Sequence, residues 1–123
     1  MNMEPKKTIV LGAIPNPARY SFKAVKSLLR YGYEAVAVGF RPGVIYDTFI
    51  QRGTPEIDNV HTIALYIGPD RQEEFHDYIL SLHPSRIIFN PGTINEPFME
   101  ELRELGIEVV EGCTLVMLDS GEF

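Results

Sequence analysis

The sequence has few of the features that mark secreted, membrane-bound or nucleic-acid-binding proteins. A single cysteine among 123 residues excludes an internal disulfide, which fits a reducing cytoplasm. No apolar run reaches the roughly 18 residues that predict a membrane span, and residues 1–7 lack the apolar core of a signal peptide. The formal net charge is −6, and no run of Lys and Arg forms a basic stripe. Nucleic acid is therefore not an expected partner.

What is present is typical of one globular domain. Hydrophobic residues make up 45% of the chain and charged residues 23%. The length of 123 residues is enough to bury a core. No repeat, low-complexity segment or linker divides the sequence, so we expect a single domain over residues 1–123, in the cytoplasm and not at a membrane.

The first third of the chain predicts a strand, a loop and a helix. Residues 8–13 form a short apolar run with β-branched members, typical of a buried parallel strand. Pro15 and Pro17 keep the next residues extended, and Ser21 is expected to cap the helix that follows. The inner face of that helix is predicted to carry four residues: Phe22, Val25, Leu28 and Leu29.

Four more apolar runs predict strands, at residues 34–38, 62–67, 86–89 and 108–110. Asp70 and Glu73 resemble a capping box, and Asn95 is expected to cap a later helix. The predicted inner faces of these two helices are Phe75, Tyr78, Ile79 and Leu82, and Phe98, Met99, Leu102 and Leu105.

Two segments stay ambiguous at this level. Residues 44–46 suit a short strand or an extended loop, and residues 114–118 suit a strand or a helix. The whole pattern predicts an α/β fold with a mostly parallel sheet of five or six strands and helices on both faces. An exposed edge at either ambiguous segment could pair two copies as a homodimer.

Four turns follow four of the predicted strands and therefore lie at one edge of a parallel sheet. Glycine at such turns either ends the strand or lets a ligand approach the backbone closely. The turns are Gly12-Ala13-Ile14, Gly39-Phe40-Arg41, Gly68-Pro69 and Asn90-Pro91-Gly92-Thr93.

The first and second turns bear on nucleotide binding. The first has Gly12 but no G-x-G-x-x-G pattern, and the acidic residue that holds an NAD ribose is missing after the second strand. Arg41 stands there instead and suits a phosphorylated ribose, as in NADP or coenzyme A. Arg19 is a second candidate for binding phosphate. Arg41 could equally be a solvated turn residue, and the alternative for Arg19 is a surface ion pair of little energetic weight.

The segment Gly12-Ala-Ile-Pro-Asn-Pro-Ala-Arg-Tyr-Ser21 resembles the first loop of the small stand-alone CoA-binding domain proteins. These proteins are related to the N-terminal nucleotide-binding domain of the succinyl-CoA synthetase α subunit. Residues 32–36, 90–93 and 106–114 also resemble this family, so the likeness covers nearly the whole chain. Ile14 stands where the family has a serine, and Gly39-Phe40-Arg41 replaces its frequent Val-Asn-Pro turn.

The resemblance implies a Rossmann-like domain that binds coenzyme A across the carboxyl ends of its strands. It implies three groups of cofactor-binding residues: the phosphate-facing loop, the adenosine end and the far side of the ligand. In that order they are Gly12, Ala13, Ile14, Asn16, Arg19 and Ser21; Gly39, Phe40 and Arg41; and Gly68, Asn90, Pro91 and Gly92.

The sequence offers no catalytic constellation. His61, His76 and His83 lack metal-site spacing, and no serine sits in a nucleophile elbow. His76 is expected to be exposed among acids. Cys113 follows the last strand, where it is either a small buried residue or a thiol that coenzyme A could reach to form a mixed disulfide.

The interpretation that combines these points is a non-catalytic, cytoplasmic module that binds coenzyme A or an acyl-CoA. The alternative is an NADP-binding oxidoreductase fragment or redox-sensing domain, since Arg41 suits that ligand as well. A third alternative is an interaction domain with an empty crevice.

Overall fold

The computed structural model describes residues 5–123. The prediction that residues 1–7 are not a signal peptide falls partly on residues 1–4, which lie outside the described residues. The strands are β1 Thr8–Leu11, β2 Ala35–Gly39, β3 Val44–Ile45, β4 Thr48–Arg52, β5 Thr62–Leu65, β6 Arg86–Phe89 and β7 Glu108–Glu111. The helices are α1 Tyr20–Arg30, α2 Pro69–Gln72, α3 His76–Ser81, α4 Glu96–Glu104 and α5 Thr114–Ser120, with a 3-10 turn at Glu73–Phe75.

The strands form one sheet in the order β3-β4-β2-β1-β5-β6-β7. Every neighbouring pair is parallel except β3 and β4, which form an antiparallel hairpin at one edge. The Rossmann-like α/β fold is thus confirmed, but the sheet has seven strands rather than five or six. The extra strand β4 lacks the apolar run of a central strand, because only Ile50 of its five residues is buried.

Two apolar layers cover the two faces of the sheet, as the sequence predicts. One packs α1 and α5 against β1 and β2, through residues such as Val25, Leu28 and Leu118. The other packs α3 and α4 against β1, β5 and β6, through residues such as Ile79 and Leu102. No helix among residues 5–123 is long and apolar enough to cross a bilayer.

The helix starts differ from the predicted caps in two of three cases. Ser21 does not cap α1; the N-cap is Arg19, and the Ser21 hydroxyl instead accepts a bond from the Ile14 amide at 3.1 Å. Asp70 and Glu73 form no capping box, because the N-cap of α2 is Gly68, two residues before Asp70, and Pro69 is the first helical residue. Asn95 is confirmed as a cap, and its side chain accepts from the Phe98 amide.

Two side-chain predictions and one of the two candidate dimer edges also need correction. Leu29 and Leu105 are exposed rather than part of the inner helix faces, and Leu105 lies just beyond α4. The ambiguous residues 114–118 are helical, because the Thr114 amide donates to Asn90 Oδ1 across the fold, a contact that local sequence does not reveal. They therefore cannot pair two sheets. Residues 44–45 do form an edge strand, so pairing there stays a prediction.

The contrast between Leu102 and Leu105 is testable. Leu102 is fully buried and Leu105 is 58% exposed. We expect Leu102→Ala to lower the free energy of unfolding by about 2–5 kcal/mol because it leaves a cavity. The matched Leu105→Ala variant should change it by about 0.5 kcal/mol or less. Urea unfolding measures both, and equal losses would contradict this assignment of the core.

Candidate functional site

The carboxyl ends of β2, β1, β5 and β6 meet at one edge of the sheet. The chain leaves β1 for β2 on one side and later returns to β5 on the other side of β1. This reversal of strand order opens a crevice above β1 and β5, where ligands of such folds bind. All four glycine-bearing turns predicted from the sequence lie at this edge.

The loop after β1 is closed by hydrogen bonds of its own. The amides of Gly12 and Ala13 both donate to the Val38 carbonyl, at 2.8 and 3.0 Å. The Ile14 amide donates to Ser21, and Asn16 accepts from Ala18 and Arg19. The loop amides expected to face a phosphate are therefore already paired within the protein.

Free backbone donors begin at the first turn of α1. The amides of Tyr20, Ser21 and Phe22 have no acceptor among residues 5–123, as expected at a helix start without a side-chain cap. The first intrahelical bond runs from Lys23 to Arg19. The positive end of this 11-residue helix faces the same edge of the sheet as the loop, so it favours an anion there.

Three arginines converge on a cavity of about 280 Å³ beside this helix start. Arg19 comes from the β1 loop, Arg41 from the turn after β2, and Arg71 from α2. The remaining lining residues are Ala13, Ile14, Pro15 and Phe40. Within residues 5–123, Arg19 and Arg41 have no ion-pair partner, so their donors remain free for a ligand.

Arg71 is the site residue that the sequence analysis missed. Its guanidinium carbon lies 4.1 Å from the centre of the Phe40 ring, and its Nε lies 3.5 Å from Glu74. The Phe40 ring in turn meets Phe75 edge-on at 5.5 Å. The available signal was a cation in the first turn of a helix that follows a central parallel strand.

The predicted glycines have two different roles. A Cβ at Gly39 would overlap the Ala13 main-chain oxygen, and one at Gly12 would lie 3.0 Å from the Tyr66 carbonyl. Gly12 also has φ +102°, in the left-handed region. These two glycines therefore permit close packing of the loop on neighbouring strands. Gly68 instead faces open space, where an added Cβ would meet no atom within 4 Å.

The predicted far-side residues lie at the same edge but do not line the arginine cavity. Asn90 is buried, and its amide is fully used: Nδ2 donates to Leu65 and Ile88, and Oδ1 accepts from Thr114. Pro91 and Gly92 are exposed. Asn90 thus fixes the ends of β5, β6 and α5 relative to one another.

A larger cavity, of about 630 Å³, lies at the opposite edge of the sheet. Its lining residues are Leu80, His83, Pro84, Ser85, Leu105, Gly106 and Ile107. His83 is its one readily ionisable side chain. The smaller arginine cavity is the better candidate site, because it collects charged groups from two loops and a helix.

His76 belongs to a separate cluster between α3 and α4. Its Nε2 lies 2.8 Å from Glu101 Oε2, and its Nδ1 lies 3.2 Å from Asp77. The bond to Glu101 is the main cause that raises the pKa of His76 above 6.5. The ring is half-buried against Phe98, rather than exposed as predicted. No cluster of three metal-ligating residues occurs in the described part of the chain.

Comparison with known proteins supports a nucleotide-binding fold. A family model described as CoA binding domain matches residues 6–119. A crystal structure of an uncharacterized protein shares 47% identity, covers 98% of this chain and 100% of its own, and superposes with a TM-score of 0.95. A Thermus thermophilus protein is 22% identical over 98% of this chain and 92% of its own, with a TM-score of 0.85.

A more distant likeness is to a dinucleotide-forming acetyl-coenzyme A synthetase 1 of Ca. Korarchaeum cryptofilum, solved with phosphate and ADP. It is 17% identical over 88% of this chain and 26% of its own, with a TM-score of 0.67, which shows a shared fold. No curated protein sequence matches this chain.

Gly39 and Gly68 form a matched pair for testing the packing of the loop. Gly39→Ala should lower the free energy of unfolding by about 1–3 kcal/mol, because the backbone of Ala13 must move. Gly68→Ala should leave it unchanged or raise it by up to about 1 kcal/mol, since φ −62° and ψ 156° suit alanine. Urea unfolding compares the two, and a harmless Gly39→Ala change would contradict the tight contact.

The His76 cluster predicts a pH effect. Because folding raises the pKa of His76, its protonation stabilises the fold fully below about pH 6.5, and this contribution is lost as the pH rises through the folded-state pKa. Glu101→Gln should lower that pKa, as read by NMR titration of the imidazole. Glu100→Gln, on the same helix, should not. Equal effects of both variants would show that Glu101 is not the cause.

Proposed function

Because this chain belongs to the family of CoA binding domains, we propose that it binds coenzyme A or an acyl-CoA across the carboxyl ends of β1, β2, β5 and β6. The observation that carries the proposal is the cavity at which Arg19, Arg41 and Arg71 converge. Coenzyme A carries a diphosphate and a 3′-phosphate, so it needs cationic partners at more than one point. Guanidinium groups match phosphate oxygens with paired donors.

The positions of the cationic groups suggest which phosphate of coenzyme A each of them binds. We assign the diphosphate to Arg19 and the free amides at the start of α1, since these are the donors beside the β1 loop. We assign the 3′-phosphate to Arg41, because the turn after the second strand holds the adenosine ribose in this fold class. Phe40, whose ring is 42% exposed and stacked on Arg71, offers an aromatic surface for adenine.

The role that fits this set of residues is a carrier or sensor rather than an enzyme. The converging side chains are donors for phosphate, whereas the half-buried His76 and Glu101 pair with each other in a different cavity. We further propose that the chain acts as a single domain in the reducing cytoplasm, as its single cysteine suggests. The free edge at β3 remains our candidate surface for a homodimer.

Calorimetric titration with four ligands tests the proposal: CoA, 3′-dephospho-CoA, NADP and NAD. We expect CoA to bind most tightly. Arg41→Ala should weaken CoA binding about tenfold or more through loss of a charge-assisted bond, and should leave dephospho-CoA binding unchanged. Arg30→Ala is the matched control, since Arg30 lies in the last turn of α1, away from the cavity.

The other outcomes are equally informative. An equal loss of affinity for CoA and dephospho-CoA in Arg41→Ala would overturn the assignment of the 3′-phosphate. Preference for NADP would favour the oxidoreductase class. Absence of binding by any of the four ligands would contradict the proposed function.

A further inference from the structure

We infer that Gln72 is a positioning residue for the pantetheine arm of coenzyme A. It holds together the two turns between which the arm lies, those at Gly68 and at Gly92. The inference rests on the proposed function and deepens it, because it concerns the part of the ligand that the arginine cavity does not bind. Three observations carry it: the equivalent positions of the two turns, their free amides and the hydrogen bonds of Gln72.

The turns at Gly68 and Gly92 follow two neighbouring parallel strands in the same way. Leu65 pairs with Phe89 at the ends of β5 and β6, and each glycine comes three residues later in the chain. Both glycines are exposed, and a Cβ added at either would meet no atom within 4 Å. The two turns therefore border open space at the edge of the sheet that carries the arginine cavity.

Each of these turns offers a free backbone donor. The amides of Gly68 and Gly92 have no acceptor among residues 5–123. Pantetheine is uncharged, and the carbonyl oxygens of its two amide groups accept hydrogen bonds. Backbone N–H groups at glycines, where no side chain obstructs the approach, therefore match pantetheine, whereas the arginines match the phosphates.

Gln72 connects the two turns by hydrogen bonds. Its side chain is buried, and Nε2 donates to the Ile67 carbonyl at 2.9 Å and to the Thr93 carbonyl at 2.6 Å. Ile67 and Thr93 are each adjacent in sequence to one of the two glycines. One amide group therefore sets the separation of the two turns.

The partners of the Gln72 amide also fix its orientation. Both partners of Nε2 are carbonyl oxygens, which only accept, and Oε1 accepts from Asn95 Nδ2 at 3.1 Å. Asn95 Oδ1 in turn accepts from the Phe98 amide at the start of α4. Rotation of the Gln72 side chain would leave the two carbonyls without their donor, so the turns are held in one arrangement.

Arg71 precedes Gln72 in α2 but has anchors of its own. Its side chain stacks on Phe40 and pairs with Glu74. Loss of the Gln72 bonds should therefore change the separation of the two turns more than it changes the arginine cavity. The phosphates and the adenosine depend on the arginines, and the pantetheine arm depends on Gln72.

Calorimetric titration of Gln72→Met with two ligands tests the inference. One is coenzyme A, and the other is 3′-phosphoadenosine 5′-diphosphate, which lacks the pantetheine arm. Methionine has a similar length but no donor, so we expect about tenfold weaker binding of CoA and unchanged binding of the shorter ligand. Leu102→Ala is the control for lost stability, because Leu102 is fully buried in the second half of α4. It should leave the ratio of the two affinities unchanged.

Gly68→Val tests the path of the arm without removing a buried hydrogen bond. The backbone of Gly68, with φ −62° and ψ 156°, suits valine, and the added side chain would enter the open space at the turn. We expect this variant to weaken CoA binding about tenfold and to spare the shorter ligand. If Gln72→Met does not fold, Gly68→Val decides, and unchanged affinity for CoA would contradict the inference.

The same titrations separate failure of the inference from failure of the proposed function. If the unmodified protein does not bind CoA, the proposed function fails and the inference fails with it. If it binds CoA but Gln72→Met weakens both ligands equally, or weakens neither, the inference is wrong and the proposed function stands. A selective loss of CoA binding in Leu102→Ala as well would overturn the inference, because the effect would then follow from lost stability.

Discussion

The arrangement of the site depends on one carbonyl group that accepts two hydrogen bonds. The main-chain oxygen of Val38, near the end of β2, accepts from the successive amides of Gly12 and Ala13. This contact draws the loop after β1 over the end of β2, so closely that Gly39 has no room for a side chain. It also brings Arg19 and Arg41 to one cavity, although they belong to different loops.

The charged groups at this cavity differ in sign from the net charge of the chain. The chain carries a formal charge of −6, which by itself opposes an anionic ligand. Exposed charges are screened over about 8 Å at physiological ionic strength, so groups inside the cavity outweigh those on distant surfaces. Glu74 compensates part of the field of Arg71, whereas Arg19 and Arg41 form no ion pair among residues 5–123. The local field is therefore positive where the helix start is also positive.

Sequence reasoning found the elements whose signals are local. The parallel strands, the Asn95 cap and the convergence of the turns follow from apolar runs and turn residues, and the structure contains them. The features that stayed open or were wrong depend on distant partners. Residues 114–118, left open between strand and helix, are helical where the Thr114 amide donates to Asn90. The Ser21 hydroxyl, expected to cap α1, instead accepts from the Ile14 amide. The roles of the site residues stay predictions, because their partner is a ligand rather than another part of the chain.

Burial separates the arginines that hold the fold from those available to a ligand. Arg86, at the start of β6, is 5% exposed; Nε bonds Thr62, Nη1 bonds the Phe123 carbonyl at 2.6 Å, and the Phe123 ring stacks 4.4 Å away. Burial lowers the pKa of Arg86, and Nη2 has no hydrogen-bond partner among residues 5–123, so the bonds to Thr62 and Phe123 offset only part of the cost of burying this charge. Arg19 and Arg41 are exposed at the other edge and keep their donors free. The exposed arginines are therefore the ones that we propose for ligand binding, whereas Arg86 stabilises the fold.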